Sequence, residues 1–97
     1  MCRIFAGQDS ARYAPETRRL RLNGQSTSLR LEAAFWEILD AIAASQGMTT
    51  PAFISTLHDE VLEEQGEAHN FSSLLRCSCL LYLGDAAQAS ATRVAAE

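Results

Sequence analysis

The sequence predicts a mostly α-helical chain that carries one short β-ribbon, in the order strand, strand, helix, turn, helix and a further apolar helix. Three observations support this. Asn23-Gly24 separates two runs in which apolar and polar residues alternate, the strongest short-range signal for a hairpin, because both central residues of its tight turn need positive φ. After the second run the apolar spacing changes from two to about 3.6 residues and continues for two segments, broken at Gly47. A last stretch, Phe71 to Leu83, is apolar on nearly every side.

Residues 1–17 read as an N-terminal arm, a short strand or loop that starts with Ile4-Phe5-Ala6 and turns polar through Pro15. The strand Arg18–Leu22 then pairs with Ser26–Leu31. Because strand side chains alternate, Thr27, Leu29 and Leu31 share one face and Ser26, Ser28 and Arg30 the other, so one face can pack while the other reads. Ala33 to Gln46 form the first long helix, closed by Gly47, with Phe35, Ile38, Leu39 and Ile42 as a core-facing stripe, Trp36 beside it, and Glu37 and Asp40 outward. The second opens at Thr49 or Thr50 and runs to about Gln65. Thr50 suits the N-cap and Pro51 the first helical position, where a missing N–H costs nothing. Phe53, Ile54, Leu57 and Val61 form its stripe, while Asp59, Glu60, Glu63, Glu64 and Glu67 would repel a phosphate backbone and must face away from one.

Residues 66–83 add a packing helix, capped by Asn70, running Phe71–Leu83 and ended by Gly84; its apolar surface predicts burial, on a dimer core or between dimers. Residues 84–97 read as a flexible tail with one helical turn around Thr92-Arg93-Val94.

A chain of 97 residues makes one domain and buries a modest share of its surface, so association with a second copy is the expected source of further core. The net charge of −4 is unevenly spread. Residues 1–32 carry six of the eight cationic residues and stand near +3, whereas residues 33–97 stand near −7. All the cations are arginines, the residue suited to forked contacts with guanine edges and phosphates, and they lie on the ribbon side. With no charged leader and no long apolar run, a soluble, cytoplasmic chain that does not enter membranes is expected.

Cys2, Cys77 and Cys79 imply no disulfide framework; Cys2 reads as inert and the other two, on opposite sides of a helix, as core thiols rather than metal ligands. His58 beside Asp59 reads as solvated helix polarity and His69 as a surface residue. No catalytic residue, metal ligand set or cofactor site is predicted, because no nucleophile, base and orienting group fall at compatible positions.

The segments Ser26-Thr27-Ser28-Leu29-Arg30-Leu31, Phe35-Trp36-Glu37-Ile38-Leu39 with Ile42-Ala43, Gly47-Met48-Thr49-Thr50, and Phe53-Ile54 with Leu57 resemble the ribbon-helix-helix family over residues 26–65. Ser28-Leu29-Arg30-Leu31-Glu32-Ala33-Ala34-Phe35-Trp36 is also similar to a bacterial subgroup of small uncharacterised members that begin with Met-Cys and a Phe shortly after, a likeness spanning about residues 1–83. The resemblance implies a ribbon-helix-helix domain at residues 18–65 that forms an intertwined homodimer on double-stranded DNA, as a transcriptional repressor or regulator. Ser26, Ser28 and Arg30 would contact bases, with Thr49, Thr50, Arg19 and Arg21 on phosphates. Leu29, Leu31, Phe35, Trp36, Leu39, Phe53, Ile54 and Leu57 would form the dimer core, and residues 71–83 a surface for higher oligomers.

One feature departs from the minimal family. The strand Arg18–Leu22 either occupies the edge a partner strand would use or flanks a dimeric ribbon to give four strands. The alternative function is a protein-interaction or oligomerisation module of the same fold that binds no DNA.

Overall fold

The structure, a computed structural model, describes residues 2–96, with side chains as far as Ala87; Met1 and Glu97 lie outside it. The elements are α1 (Cys2–Ala6), α2 (Ser10–Tyr13), β1 (Pro15–Leu22), β2 (Gln25–Glu32), α3 (Ala33–Ser45), α4 (Thr50–Gln65) and α5 (Phe71–Ala96). The arm therefore forms two short helices instead of a strand or open loop. Asp9 starts the second by accepting the Ala11 N–H at 3.0 Å.

Asn23 and Gly24, at φ 54° and 79°, make the expected mirror-image turn, whose twist matches that of the strands it joins. β1 and β2 pair antiparallel from Leu22 opposite Gln25 to Pro15 opposite Glu32, so β1 starts earlier than the arginine run. Leu20, Leu22, Leu29 and Leu31 are buried on one face, where the helices cover them.

α3 buries Trp36, Leu39, Ile42 and Ala43, while Phe35 and Ile38 are half-buried. The buried stripe is thus turned from the expected one toward Trp36. Its indole has an apolar body to hide and one donor to satisfy, and here it does both: the residue is 1 % exposed and Nε1 donates to the Glu16 carbonyl at 2.8 Å. Residues Leu29, Leu31, Trp36, Leu39 and Ile54, expected in a dimer core, are already buried within one chain, and Phe35, Phe53 and Leu57 pack partly buried against them. β1 and α5 provide this cover, and a minimal strand-helix-helix chain has neither.

The cap of α4 is Thr49 rather than Thr50. A hydroxyl can cap only from a non-helical residue, and Thr49 is extended at φ −75°, ψ 156°, accepting the Ala52 N–H at 3.2 Å. Gly66, left-handed at φ 78°, ends the helix.

α5 differs most from expectation. Among its described side chains only Phe71, Leu75 and Cys79 are buried; Leu80, Leu81 and Leu83 are 63 %, 70 % and 48 % exposed, and Cys77 is exposed as well. Nor does Gly84 stop the helix, which runs on to Ala96. A helical Gly costs only about 1 kcal/mol relative to Ala, and the Ala-rich segment after it propagates the helix well. Arg76 anchors α5 to the open end of the hairpin through Glu32 at 2.9 Å, which holds the Glu32 carboxyl below its usual range.

Candidate nucleic-acid interface

The alternation that buries four leucines presents the opposite face of the hairpin to solvent. Arg19, Arg21, Ser26, Ser28 and Arg30 are all exposed. Arg19 lies opposite Ser28, Arg21 opposite Ser26 and Thr17 opposite Arg30, so the residues expected on bases and two of those expected on phosphates, Arg19 and Arg21, form one continuous surface, while Thr49 and Thr50 lie apart from it at the start of α4. Among the described residues no carboxylate pairs with Arg19, Arg21 or Arg30. Arg21 donates only to the Gly24 carbonyl, at 3.3 Å. Three guanidiniums without an ion-pair partner among the described residues, with Glu32 beside Arg30 already paired to Arg76, make this face positive despite the net acidity of the chain.

The backbone of β2 adds a second property. A two-residue turn makes its flanking pair, Leu22 and Gln25, hydrogen-bonded, and pairs then alternate along an antiparallel ladder. Ser26, Ser28 and Arg30 fall in the alternate class, so their N–H and C=O groups point away from β1. Among the described residues that edge of the sheet has no strand beside it.

Arg18, in the same arginine run, belongs to the inner face. Its guanidinium lies 4.4 Å from the Trp36 ring centroid, its Nε donates to Glu16 at 2.7 Å, and its two terminal nitrogens reach the two Asp40 oxygens at 2.9 and 3.2 Å. Asp40, expected outward, is half-buried and also accepts from the Thr50 hydroxyl at 2.6 Å. The hydrogen bond from Arg18 holds the Asp40 carboxyl below its usual range, and the same bond raises Arg18. Thr50 therefore cannot offer its hydroxyl proton to a phosphate. Thr49, whose oxygen caps α4, keeps its own proton free.

The sequence reading missed this cluster, although a signal was present: Arg18 shares its strand parity with Leu20 and Leu22. Two further expectations change. His58 is half-buried, edge-on to Phe71 at 4.9 Å, rather than solvated. Of the two α5 cysteines only Cys79 is in the core, where burial pushes its thiol up to about 11.

The sequence profile of the ribbon-helix-helix domain matches residues 15–83. The chain belongs to the ribbon-helix-helix family. Members of this family are generally DNA-binding transcription regulators that typically act as dimers, and the fold is not typically enzymatic. The solved structure of an uncharacterized protein from Bordetella pertussis Tohama I is 44 % identical and superposes with a TM-score of 0.89, covering 92 % of this chain and 71 % of that one. No curated protein matches. The matched span takes in β1 and the first part of α5 as well as the ribbon and the two helices after it. No helix among the described residues is long and apolar enough to cross a membrane.

Proposed function

We propose that this chain is a sequence-specific DNA-binding regulator that acts as a dimer, with the outward backbone groups of β2 pairing with those of a second copy. The observation that carries this reading is the hairpin's exposed face, where Arg19, Arg21 and Arg30 lie among serines and, among the described residues, none of them forms an ion pair with a carboxylate. Pairing along β2 gives a four-stranded sheet in the order β1, β2, β2 of the partner, β1 of the partner.

Dimensions then assign roles. Strands lie about 4.8 Å apart, so the outer strand axes are about 14 Å apart, wider than a major groove of about 12 Å. Only the central β2 pair enters the groove, where Ser26, Ser28 and Arg30 reach base edges and Arg30 takes a guanine with its fork. The outer strands ride over the groove walls and bring Arg19 and Arg21 to the phosphates. The N-terminus of α4 adds the Thr50 N–H, the one its first turn leaves after the Thr49 cap takes Ala52 and Phe53, and the Thr49 hydroxyl, on a backbone phosphate. A dimer seated this way blocks other proteins from the same site, as a repressor does.

The test is fluorescence anisotropy against duplexes selected from random sequence, with Arg30→Ala alongside. Binding that weakens steeply with salt, and discrimination lost in Arg30→Ala by about 1–3 kcal/mol, is expected.

A second reading rests on α5, whose outward face carries Leu80 and Leu81 and suits self-association of copies in an oligomerisation module that binds no DNA. A wild-type protein that associates but binds no duplex at low salt would establish this reading instead.

A further inference from the structure

From the hydrogen bonds converging on Asp40, we infer that this carboxylate is a positioning residue for DNA recognition: it fixes the N-terminus of α4 relative to the reading face of the hairpin. The inference rests on the DNA-binding reading and extends it to residues that touch no DNA. Recognition needs two elements in register, because the ribbon reads bases while the helix N-terminus holds a phosphate at a set distance from them. Asp40 lies on α3, between the two. One of its oxygens takes Arg18 of β1 and Thr50 of α4 together, at 2.9 and 2.6 Å, and the other takes the second arm of the Arg18 fork at 3.2 Å. Arg18 is itself held by stacking on Trp36 and by Glu16, so the strand end of the chain of contacts is rigid. Thr50 immediately follows the cap Thr49, so the other end is the phosphate-facing turn.

A carboxylate suits this position because its second oxygen takes the other arm of the Arg18 fork, where the amide of Asn would turn its NH2 donor against the guanidinium and break the geometry that Arg18 and Thr50 share. Charge-assisted, bidentate bonds also hold orientation as well as distance. No contact in the cluster reaches the exposed face. Its loss should therefore move the two binding elements relative to each other while leaving Arg19, Arg21 and Arg30 in place.

The experiment compares wild type, Asp40→Asn, Thr50→Val and Thr50→Ser in anisotropy titrations. The probes are a duplex selected from random sequence by the wild-type protein and an unrelated duplex, each over a salt series, with urea melts in parallel. Asp40→Asn and Thr50→Val should bind the selected duplex about tenfold more weakly, at the low end of what one base contact is worth. Their binding to the unrelated duplex and their salt slopes should stay as in wild type, and Thr50→Ser, which keeps the donor, should bind normally. A merely structural role would lower the urea midpoint and leave discrimination intact; that result overturns the inference. Should Asp40→Asn fail to fold, the nearly isosteric Thr50→Val carries the test alone. A wild type that binds no duplex overturns the DNA reading and the inference together, whereas wild-type binding with undiminished discrimination in both variants overturns the inference alone.

Discussion

Arg18 and Arg19 are adjacent in sequence, yet strand alternation gives them opposite environments: the first is clamped between Trp36 and Asp40, and the second is free in solvent. Their substitutions should separate accordingly. Arg19→Ala should weaken DNA binding across all sequences and reduce the salt slope by about one, as expected for one lost phosphate contact. Arg18→Ala should leave that slope unchanged and lower the urea midpoint, because it strips the cover from the Trp36 ring and leaves Asp40 with Thr50 as its remaining side-chain partner. Equal slopes for wild type and Arg19→Ala would remove Arg19 from the backbone contacts. The same ion pairs give a pH dependence. Asp40 and Glu32 are both held below their usual range, by Arg18 and Arg76 respectively. A carboxyl whose folded value is depressed binds protons more readily when unfolded, so its contribution is fully present above the unfolded value and is lost as pH falls through the folded one. Urea midpoints should therefore hold from about pH 7 to 5 and fall below about pH 4, the ordinary carboxylate range. Asp40→Asn should flatten part of that fall, and an unchanged acid limb would rule the Arg18 pair out as a contributor.

At the level of elements, local signals were read well where backbone chemistry decides the outcome. Asn23-Gly24 specified the hairpin because few other residues adopt two successive positive φ values, and Thr49, Thr50 and Pro51 marked the start of α4 to within one residue. Replacing Gly24, at φ 79°, by Ala should accordingly cost about 1–2 kcal/mol in a denaturant melt. The sequence was less legible where tertiary partners decide. Asp40 looks outward on α3 until Arg18 and Thr50 arrive from elsewhere in the chain, and Trp36 displaces Phe35 from the buried stripe only because the Glu16 carbonyl is there to accept its N–H. Gly84 misled because glycine ends helices only when the chain turns left-handed after them, and here it does not. Among the described residues beyond its own helical turn no atom lies within 4 Å of the place a Cβ would occupy, so Gly84→Ala should raise stability by about 0.5–1 kcal/mol through restricting the unfolded chain. A loss of stability would mean that this face of α5 approaches something closely.

For the whole molecule the decisive question is what the free edge of β2 does. β1 protects one edge of β2 inside the chain, and the residues expected to read DNA, Ser26, Ser28 and Arg30, are those whose backbone groups point to the other edge. In the proposed dimer one strand serves two purposes with the same residues: side chains toward the groove and main chain toward the partner. That proposed arrangement would make dimerisation and reading inseparable, since without the partner strand a single β2 offers half of the central ribbon. It also permits a substitution that acts on the assembly and leaves the chain's own fold in place. Proline at position 28 removes an N–H that β1 does not use and fixes φ at about −65°, and edge strands tolerate proline where that group faces outward. Ser28→Pro should keep the far-ultraviolet circular dichroism and, within about 1 kcal/mol, the stability of a chain with one ordinary surface change. In sedimentation equilibrium it should shift from dimer toward monomer and lose its binding to the selected duplex. Ser28→Ala, which removes the same hydroxyl and keeps the N–H, should remain dimeric and lose at most part of the base discrimination. If Ser28→Pro sediments as wild type does, the copies do not join through β2, and the four-stranded sheet from which the roles of Arg19 and Arg21 were derived falls with it.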